Sequence, residues 1–237
     1  MPRQHRVSHA DLIFHVAARG ALRAPIFRDD SDRRRFLTLY RSVATRFRWR
    51  LLAFCLMGNH YHLVVETQTA TLSKGMQLIN GQYASIFNGR HDTSGCLFQG
   101  RFWSRPITSD RYLHAVVRYV ALNPVNAGLV ARADEWLWGG HRELVGLDAP
   151  HLVDVARTRG LLGSLDPADT SSYSALFESA PSPMVDLSIR AGSELPWDDV
   201  IGETVRMAAA GHDVPDLARA VGRDKRTVQR WIASHGR

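Results

Sequence analysis

The sequence lacks any long apolar run. No stretch reaches the roughly 18 consecutive apolar residues that a membrane-spanning helix needs, and residues Met1–Arg6 lack the apolar core of a signal peptide. Cys55 and Cys96 are its only cysteines, and they form neither a Cys-x-x-Cys pair nor a larger framework. We therefore expect a cytoplasmic, bacterial-type protein that has buried thiols and contains no membrane segment, disulfide scaffold or zinc finger.

Lysine is almost absent, and acidic residues are scarce in the first half of the chain. Residues 1–132 carry 19 arginines and lysines against 7 acids, residues 133–200 carry 4 against 12, and residues 201–237 carry 7 against 4. The only lysines are Lys74 and Lys225, and the planar arginine side chain favours bidentate contacts with phosphate. A GC-rich genome would explain arginine over lysine but not the local excess, so we expect a nucleic-acid partner.

A histidine pair lies in the stretch Met57–Glu66. Gly58 and Asn59 predict a turn, and the residues after them alternate as in a β-strand. Because strand side chains repeat every two residues, His60 and His62 project from one face. Two neutral imidazoles side by side suit a divalent metal ion, although a half-buried strand with hydrogen-bonded or exposed histidines is the simpler explanation of the pair alone.

A tyrosine and an asparagine share a spacing in the segment Arg118–Val130. In a helix, Tyr119 and Asn123 lie one turn apart on one face, about 6 Å along the axis. Pro124 disfavours helical geometry at Asn123, so we predict that the helix ends there. A phenol nucleophile and an amide-oxygen ligand would then point the same way, whereas the alternative is a packed tyrosine and a capping asparagine.

The remaining pattern predicts an α+β domain. We predict strands at 11–18, 49–56 and 61–66, a hairpin-like segment at 96–107, and helices at 33–47, 71–88 and 111–123. Capping residues at 29–32 and 108–110 mark the starts of the first and third helices. This order favours one mainly antiparallel sheet with helices on one side.

Further polar side chains on the predicted strands have two interpretations each. His15 lies near the metal site or packs in the core, and packing is favoured. Glu66 shares the face of the histidine pair, but a surface position is favoured. Arg101, Trp103 and Arg105 alternate as on a single-strand stacking platform, and an exposed sheet face with a partly covered tryptophan fits equally well.

The two motifs Asn59–Leu63 and Tyr119–Val130 together resemble the REP-associated tyrosine transposases, the single-tyrosine branch of the HUH nuclease superfamily. The supporting segments stand in the expected order at Phe14–Gly20, Pro25–Asp30 and Leu97–Phe102. The similarity covers roughly residues 7–140. Gly58 departs from many relatives, which have proline or another residue at that turn.

The resemblance implies a ferredoxin-like sheet that carries the histidine pair on a central strand, with the tyrosine helix beneath it. It also implies an enzyme in which Tyr119 forms a 5′-phosphotyrosine with single-stranded DNA, while His60, His62 and Asn123 hold Mg²⁺ or Mn²⁺. The implied substrates are hairpins of repetitive extragenic palindromes, bound by a monomer or homodimer near the bacterial nucleoid. Alternatives are a catalytically silent DNA-binding regulator and a two-histidine hydrolase that uses metal-bound water.

DNA contacts are expected from side chains in two parts of the chain. In the first part these are Arg19, Arg101, Trp103 and Arg105. In the second part a helix-turn-helix over residues 203–210, 214–221 and 225–233 would present Arg223, Lys225, Arg226, Gln229 and Arg230. Its small core would contain Leu217, Val221, Val228 and Trp231. The alternative is a helical hairpin packed on the first domain.

Composition suggests three regions. We predict a catalytic domain at residues 1–140, an acidic connecting region at 141–198, and a helical segment at 199–237 that is the candidate helix-turn-helix.

Overall fold

A computed structural model describes residues 12–149, 151–163, 170–178, 208, 214 and 225–235. These residues fall into two compact units, which we call the sheet unit, up to residue 178, and the C-terminal unit, from residue 208.

A four-stranded antiparallel sheet forms the centre of the sheet unit, with strand order β2-β3-β1-β4. The strands are β1 (Leu12–Arg19), β2 (Arg50–Leu56), β3 (His60–Thr67) and β4 (Trp103–Ile107). In the ladder between β1 and β3, Arg19 lies opposite His60 and Ala17 lies opposite His62. The sheet is therefore antiparallel as predicted, and the histidine pair lies on a central strand.

Helices cover both faces of this sheet. The long helices are α1 (Asp30–Phe47), α2 (Leu72–His91) and α3 (Asp110–Asn126). On one face Tyr61 packs against Phe36 of α1, with ring centroids 4.8 Å apart, and donates a hydrogen bond to Asn80 of α2. Side chains next to each other in a strand point to opposite faces, so His60 and His62 face α3 on the other side. The prediction of helices on one side therefore holds for α1 and α2 and is wrong for α3.

Helix α3 begins as predicted but ends later. Ser109 caps its start by accepting a hydrogen bond from the backbone N–H of Tyr112. The helix then continues through Pro124 to Asn126, so the predicted end at Asn123 is wrong. Asn123 and Pro124 are both buried, and packing of this turn outweighs the local preference of a residue that precedes proline. Gly128, at φ +68°, ends the helix in the left-handed conformation.

The chain after α3 covers the outer edge of β2. Leu56 donates its backbone N–H to Trp138, the N–H of Gly140 reaches Phe54, and the N–H of Asp154 reaches Leu51, all at 2.8–2.9 Å. The short helices that follow are α4 (His141–Leu144), α5 (Val155–Leu161) and α6 (Ser171–Glu178). The sheet unit thus extends past residue 140, into the region that composition marks as acidic.

Two predictions of burial are wrong, in opposite directions. Glu66 is buried rather than on the surface, and its carboxylate accepts hydrogen bonds from Arg157 at 2.6 Å and Arg50 at 3.2 Å. Burial by itself raises the pKa of Glu66, but these hydrogen bonds bring that pKa below its ordinary value. Cys55 is buried as predicted, whereas Cys96, in the loop between α2 and β4, is exposed.

The C-terminal unit contains helix α7 (Lys225–His235). Val228 is fully buried on it and packs against Ala208, Val214, Trp231 and Ile232. The predicted DNA-facing residues Lys225, Arg226, Gln229 and Arg230 are exposed, while Arg223, Leu217 and Val221 lie outside the described residues. The helix-turn-helix therefore stays a prediction.

None of the helices in the described part of the chain is long and apolar enough to cross a membrane.

Helix α2 contains two glycines with contrasting surroundings. A Cβ atom on Gly75 would lie 2.2 Å from Cη2 of Trp49, whose indole is held by a 3.0 Å hydrogen bond to Thr71. We expect Gly75→Ala to lower the free energy of unfolding by about 1–3 kcal/mol, because the ring cannot move aside freely. Gly81→Ala should raise it by up to about 1 kcal/mol, since no described atom lies within 4 Å of that Cβ position.

Urea denaturation of the full chain, followed by circular dichroism, measures both effects. Equal changes for the two variants would contradict the packing of Gly75 against Trp49.

Candidate active site

The structure brings together the two motifs that lie far apart in the sequence. Nε2 of His60 is 3.2 Å from Oδ1 of Asn123. The rings of His62 and Tyr119 lie edge to face, with centroids 5.2 Å apart, and the two histidine rings are also 5.2 Å apart. One strand of the sheet and one helix thus supply four side chains that can act on a single group.

The ring of His60 lies between two amide oxygens. Its Nδ1 is 2.7 Å from Oδ1 of Asn59, and its Nε2 faces Oδ1 of Asn123. The side chain of Asn59 is oriented by a second hydrogen bond, from its Nδ2 to the carbonyl oxygen of Arg23. Burial and the nearby Arg19 lower the pKa of His60 to about 4, against a hydrogen bond to Asn123 that raises it, so the ring is neutral at pH 7.

A neutral imidazole carries one N–H and therefore cannot donate to both oxygens. When Nδ1 donates to Asn59, the lone pair of Nε2 faces the oxygen of Asn123. A cation between these two acceptors would satisfy both of them, and the contact to Asn59 is the kind of hydrogen bond that orients a metal-binding histidine.

His62 is fully buried and contacts a third histidine, His15. Nδ1 of His62 is 3.0 Å from Nε2 of His15. Burial, together with the charges that His15, His60 and Arg19 can carry, lowers the pKa of His62 well below its ordinary value. Its Nε2 is buried without a hydrogen-bond partner among the residues that the structure describes, which leaves a lone pair for a metal ion when the shared proton lies on Nδ1.

His15 therefore belongs to the candidate site, and the favoured interpretation of it as a simple packing residue misses this contact. It is itself fully buried, and its pKa is lowered to about 3, first by burial and then by Arg105. The only indication of this role in the sequence is that His15 and Arg19 are four residues apart and therefore lie on the same face of β1. Their position opposite β3 depends on strand pairing, which the sequence pattern does not reveal.

Arg19 ends β1 opposite His60 and borders the tyrosine. Burial and the neighbouring Arg23 lower the pKa of Arg19, whereas Tyr119 raises it, so the guanidinium and the phenol are within electrostatic range. A cation at this position can attract a phosphate group to the site.

The other predicted DNA contacts of the sheet unit lie at different depths. Trp103 is half-buried and packs edge-on against His15, with centroids 5.1 Å apart. Arg105 lies over the ring of Tyr112 at 5.1 Å, and Arg101 is exposed just before β4 begins. Trp103 is thus partly covered, and Arg105 contacts helix α3 through Tyr112. Contact of these residues with DNA stays a prediction.

The donor set of the site is two imidazoles and one amide oxygen. No three His, Cys, Asp or Glu side chains form a metal-binding group within the described ranges, whereas Oδ1 of Asn123 lies 3.2 Å from Nε2 of His60 and is available as an oxygen donor beside the two imidazoles. The lone pairs of His60 Nε2 and Asn123 Oδ1 face each other, and Nε2 of His62 is buried without a described partner. These three donor atoms fit a divalent ion. Magnesium prefers oxygen, whereas manganese accepts imidazole more readily.

Comparison with known proteins gives a match to a family model and a similar fold. No curated protein matches the chain. A solved structure of a REP-associated tyrosine transposase bound to a REP hairpin is similar to it, with a TM-score of 0.52 and 16% sequence identity, over 73% of this chain and 96% of that chain. Residues 8–123 match the family model described as "Transposase IS200 like". That match, over slightly less than half of the chain, contains all four converging side chains, and in this segment the chain is similar to the IS200-like transposases.

Proposed function

We propose that this protein cuts and rejoins single-stranded DNA beside hairpin repeats, by forming a covalent bond between Tyr119 and a 5′ phosphate. The observation that carries the proposal is the meeting of Tyr119 with His60, His62 and Asn123 on one face of the sheet. The match of residues 8–123 to the IS200-like transposase model supports DNA nicking as the class of reaction. The fold shared with a hairpin-bound relative supports hairpin DNA as the substrate.

The reaction that these residues support is a transesterification. The phenolic oxygen of Tyr119 bonds to the phosphorus atom, and the bond between phosphorus and the 3′ oxygen breaks. The proton that the phenol loses ends on this 3′ oxygen, so the products are a 5′-phosphotyrosine and a free 3′-OH. The covalent bond keeps the energy of the phosphodiester, and rejoining therefore needs no nucleotide cofactor.

A divalent ion, held by His60, His62 and Asn123, would supply charge neutralisation at the scissile phosphate. Other residues of the protein would orient the ligands of this ion and keep them neutral. Asn59 orients His60, and burial keeps the imidazoles neutral and able to donate lone pairs. His15 acts as a positioning residue, because its contact with Nδ1 fixes the ring of His62 with Nε2 directed away from β1.

Two other functions use the same residues differently. A silent DNA-binding regulator would bind hairpin DNA but form no adduct. A hydrolase that activates water would cut DNA without a protein-linked product. Both differ from the proposed enzyme in what happens when Tyr119 loses its hydroxyl group.

We expect Tyr119→Phe to abolish the covalent adduct while DNA binding is kept, because only the nucleophilic oxygen is removed. The measurement is a denaturing gel of a hairpin oligonucleotide, labelled at its 3′ end and incubated with protein and Mn²⁺. Tyr112→Phe is the matched control on the same helix, since the Tyr112 ring packs under Arg105 outside the site, and it should keep the adduct. Cleavage by the Tyr119→Phe variant would favour the hydrolase, and binding without cleavage by the wild type would favour the regulator.

Metal binding tests the ligand set and His15 separately. Alanine at His60, His62 or Asn123 should weaken binding of Mn²⁺ about tenfold or more, measured by calorimetry. His15→Phe should weaken it by about 10–100-fold, because the ring of His62 loses its orienting partner. His15→Gln should recover most of the affinity, since an amide can still meet Nδ1 of His62.

Thermal unfolding of each of these variants separates loss of the metal from loss of the fold. A His15→Phe variant that folds and binds Mn²⁺ as tightly as the wild type would contradict the positioning role.

A further inference from the structure

Residues Ala21–Arg23 form a short 3-10 turn directly after β1, which we call the β1 tip. Leu22 is 99% exposed, the most exposed of the large apolar side chains in the described part of the chain. A single exposed leucine is common on protein surfaces and by itself indicates nothing. The backbone of the tip and its neighbours make this leucine different.

The β1 tip holds two successive side-chain-bearing residues in the left-handed conformation. Leu22 has φ +52° and ψ +25°, and Arg23 has φ +61°. This conformation is usual for glycine and asparagine, and it costs roughly 1–2 kcal/mol for each other residue. Neither position carries the glycine or asparagine that would relieve this strain, although Leu22 is the most exposed large apolar side chain among the described residues. Such strain is typical of functional positions.

Hydrogen bonds fix the β1 tip to the candidate active site. Gly20 donates its N–H to the carbonyl oxygen of Asn59, and Ala21 donates to Leu97. The side chain of Asn59 joins the two regions, because its Nδ2 donates to Arg23 and its Oδ1 contacts His60. The tip is thus held by hydrogen bonds to Asn59, the residue that directly precedes His60.

The surroundings of Leu22 favour nucleic acid over an apolar protein surface. Arg19 lies on one side of the tip in the chain, Arg23 is part of it, and Arg28 follows; Arg23 and Arg28 are exposed. In a nucleic acid, apolar base faces lie between negatively charged phosphates. An apolar side chain between cations is complementary to this arrangement, because the side chain can contact the bases while the cations contact the phosphates. Leucine is among the side chains that proteins insert beside base steps.

The distance to the cutting site is short. Leu22 follows Arg19 by three positions in the chain, so their Cα atoms lie at most about 11 Å apart. Stacked nucleotides rise about 3.4 Å each along a strand. With the lengths of the two side chains added, a base in contact with Leu22 lies within a few nucleotides of a phosphate held beside Arg19.

We propose that Leu22 is an apolar wedge, which contacts the bases of bound DNA where the hairpin stem meets the single strand. This proposal rests on the proposed function, since it takes hairpin DNA as the ligand. The wedge would mark the end of the stem at a fixed distance from Tyr119 and thereby set the position of the cut.

The test uses the full chain with the Tyr119→Phe substitution, so that DNA is bound but not cut. The probe is a hairpin oligonucleotide with 2-aminopurine at the first unpaired position, followed by fluorescence and by anisotropy. Leu22→Asn suits the left-handed backbone and removes the apolar contact, so it should fold at least as stably. We expect it to bind about tenfold more weakly and to lose the 2-aminopurine signal, whereas Leu22→Met should behave like the parent.

Salt dependence distinguishes the apolar contact from the charges around it. Leu22→Asn should leave the slope of log affinity against log salt unchanged, whereas Arg23→Gln should reduce that slope by about one phosphate contact. Leu147→Asn is the matched control, because Leu147 is an exposed leucine that follows α4, and it should change neither quantity.

Parent-like affinity and fluorescence in the Leu22→Asn variant would overturn the wedge and leave the proposed function intact. A parent protein that does not bind the hairpin at all would overturn both. A Leu22→Asn variant with unchanged DNA binding but an altered oligomeric state would overturn the wedge and assign the tip to a contact between copies of this chain.

Discussion

The register of β1 against β3 is the constraint on which the site depends. In an antiparallel pair, directly opposite side chains lie on one face, about 4.5–5.5 Å apart, and here Arg19 is opposite His60 and Ala17 is opposite His62. A slip by one residue would turn every side chain of a strand to the other face. His60 and His62 would then enter the aromatic core under α1 and α2, and Tyr61 would face α3. Burial of the apolar residues on the first face therefore holds the histidines on the second.

Local periodicity made part of this site predictable. Alternation within one strand pairs His60 with His62, and spacing within one helix pairs Tyr119 with Asn123, so each pair needs only its own element. The contact of His15 with His62 spans 47 residues and depends on which strands become neighbours, and alternation within one strand does not specify that. The fold class followed from the order of elements. The placement of α3 on the second face and its passage through Pro124 were decided by burial, which outweighs local backbone preference.

One distribution of charge has two effects in the site. Burial is the main cause of the lowered pKa values of His60 and His15, and the positive charges of Arg19 and Arg105 lower them further. The same guanidinium groups would attract the DNA of the proposed function towards the face on which Tyr119 lies. The arginines that make this surface basic therefore also favour the neutral form of the histidines, which is the form that can bind a metal ion. Among the acidic side chains after residue 132 that the structure describes, Asp134 pairs with Arg132 and Asp148 pairs with Arg142.

The backbone that follows α3 fixes where a foldable piece of this protein ends. The family match stops at residue 123, yet β2 satisfies its outer hydrogen-bonding groups through Trp138, Gly140 and Asp154. A fragment cut at the border of the match would leave that edge open, and an open edge invites pairing with other chains and aggregation. The end of the family match and the end of the segment that completes the edge of β2 thus lie some thirty residues apart, so a foldable domain of this protein extends well beyond the matched residues.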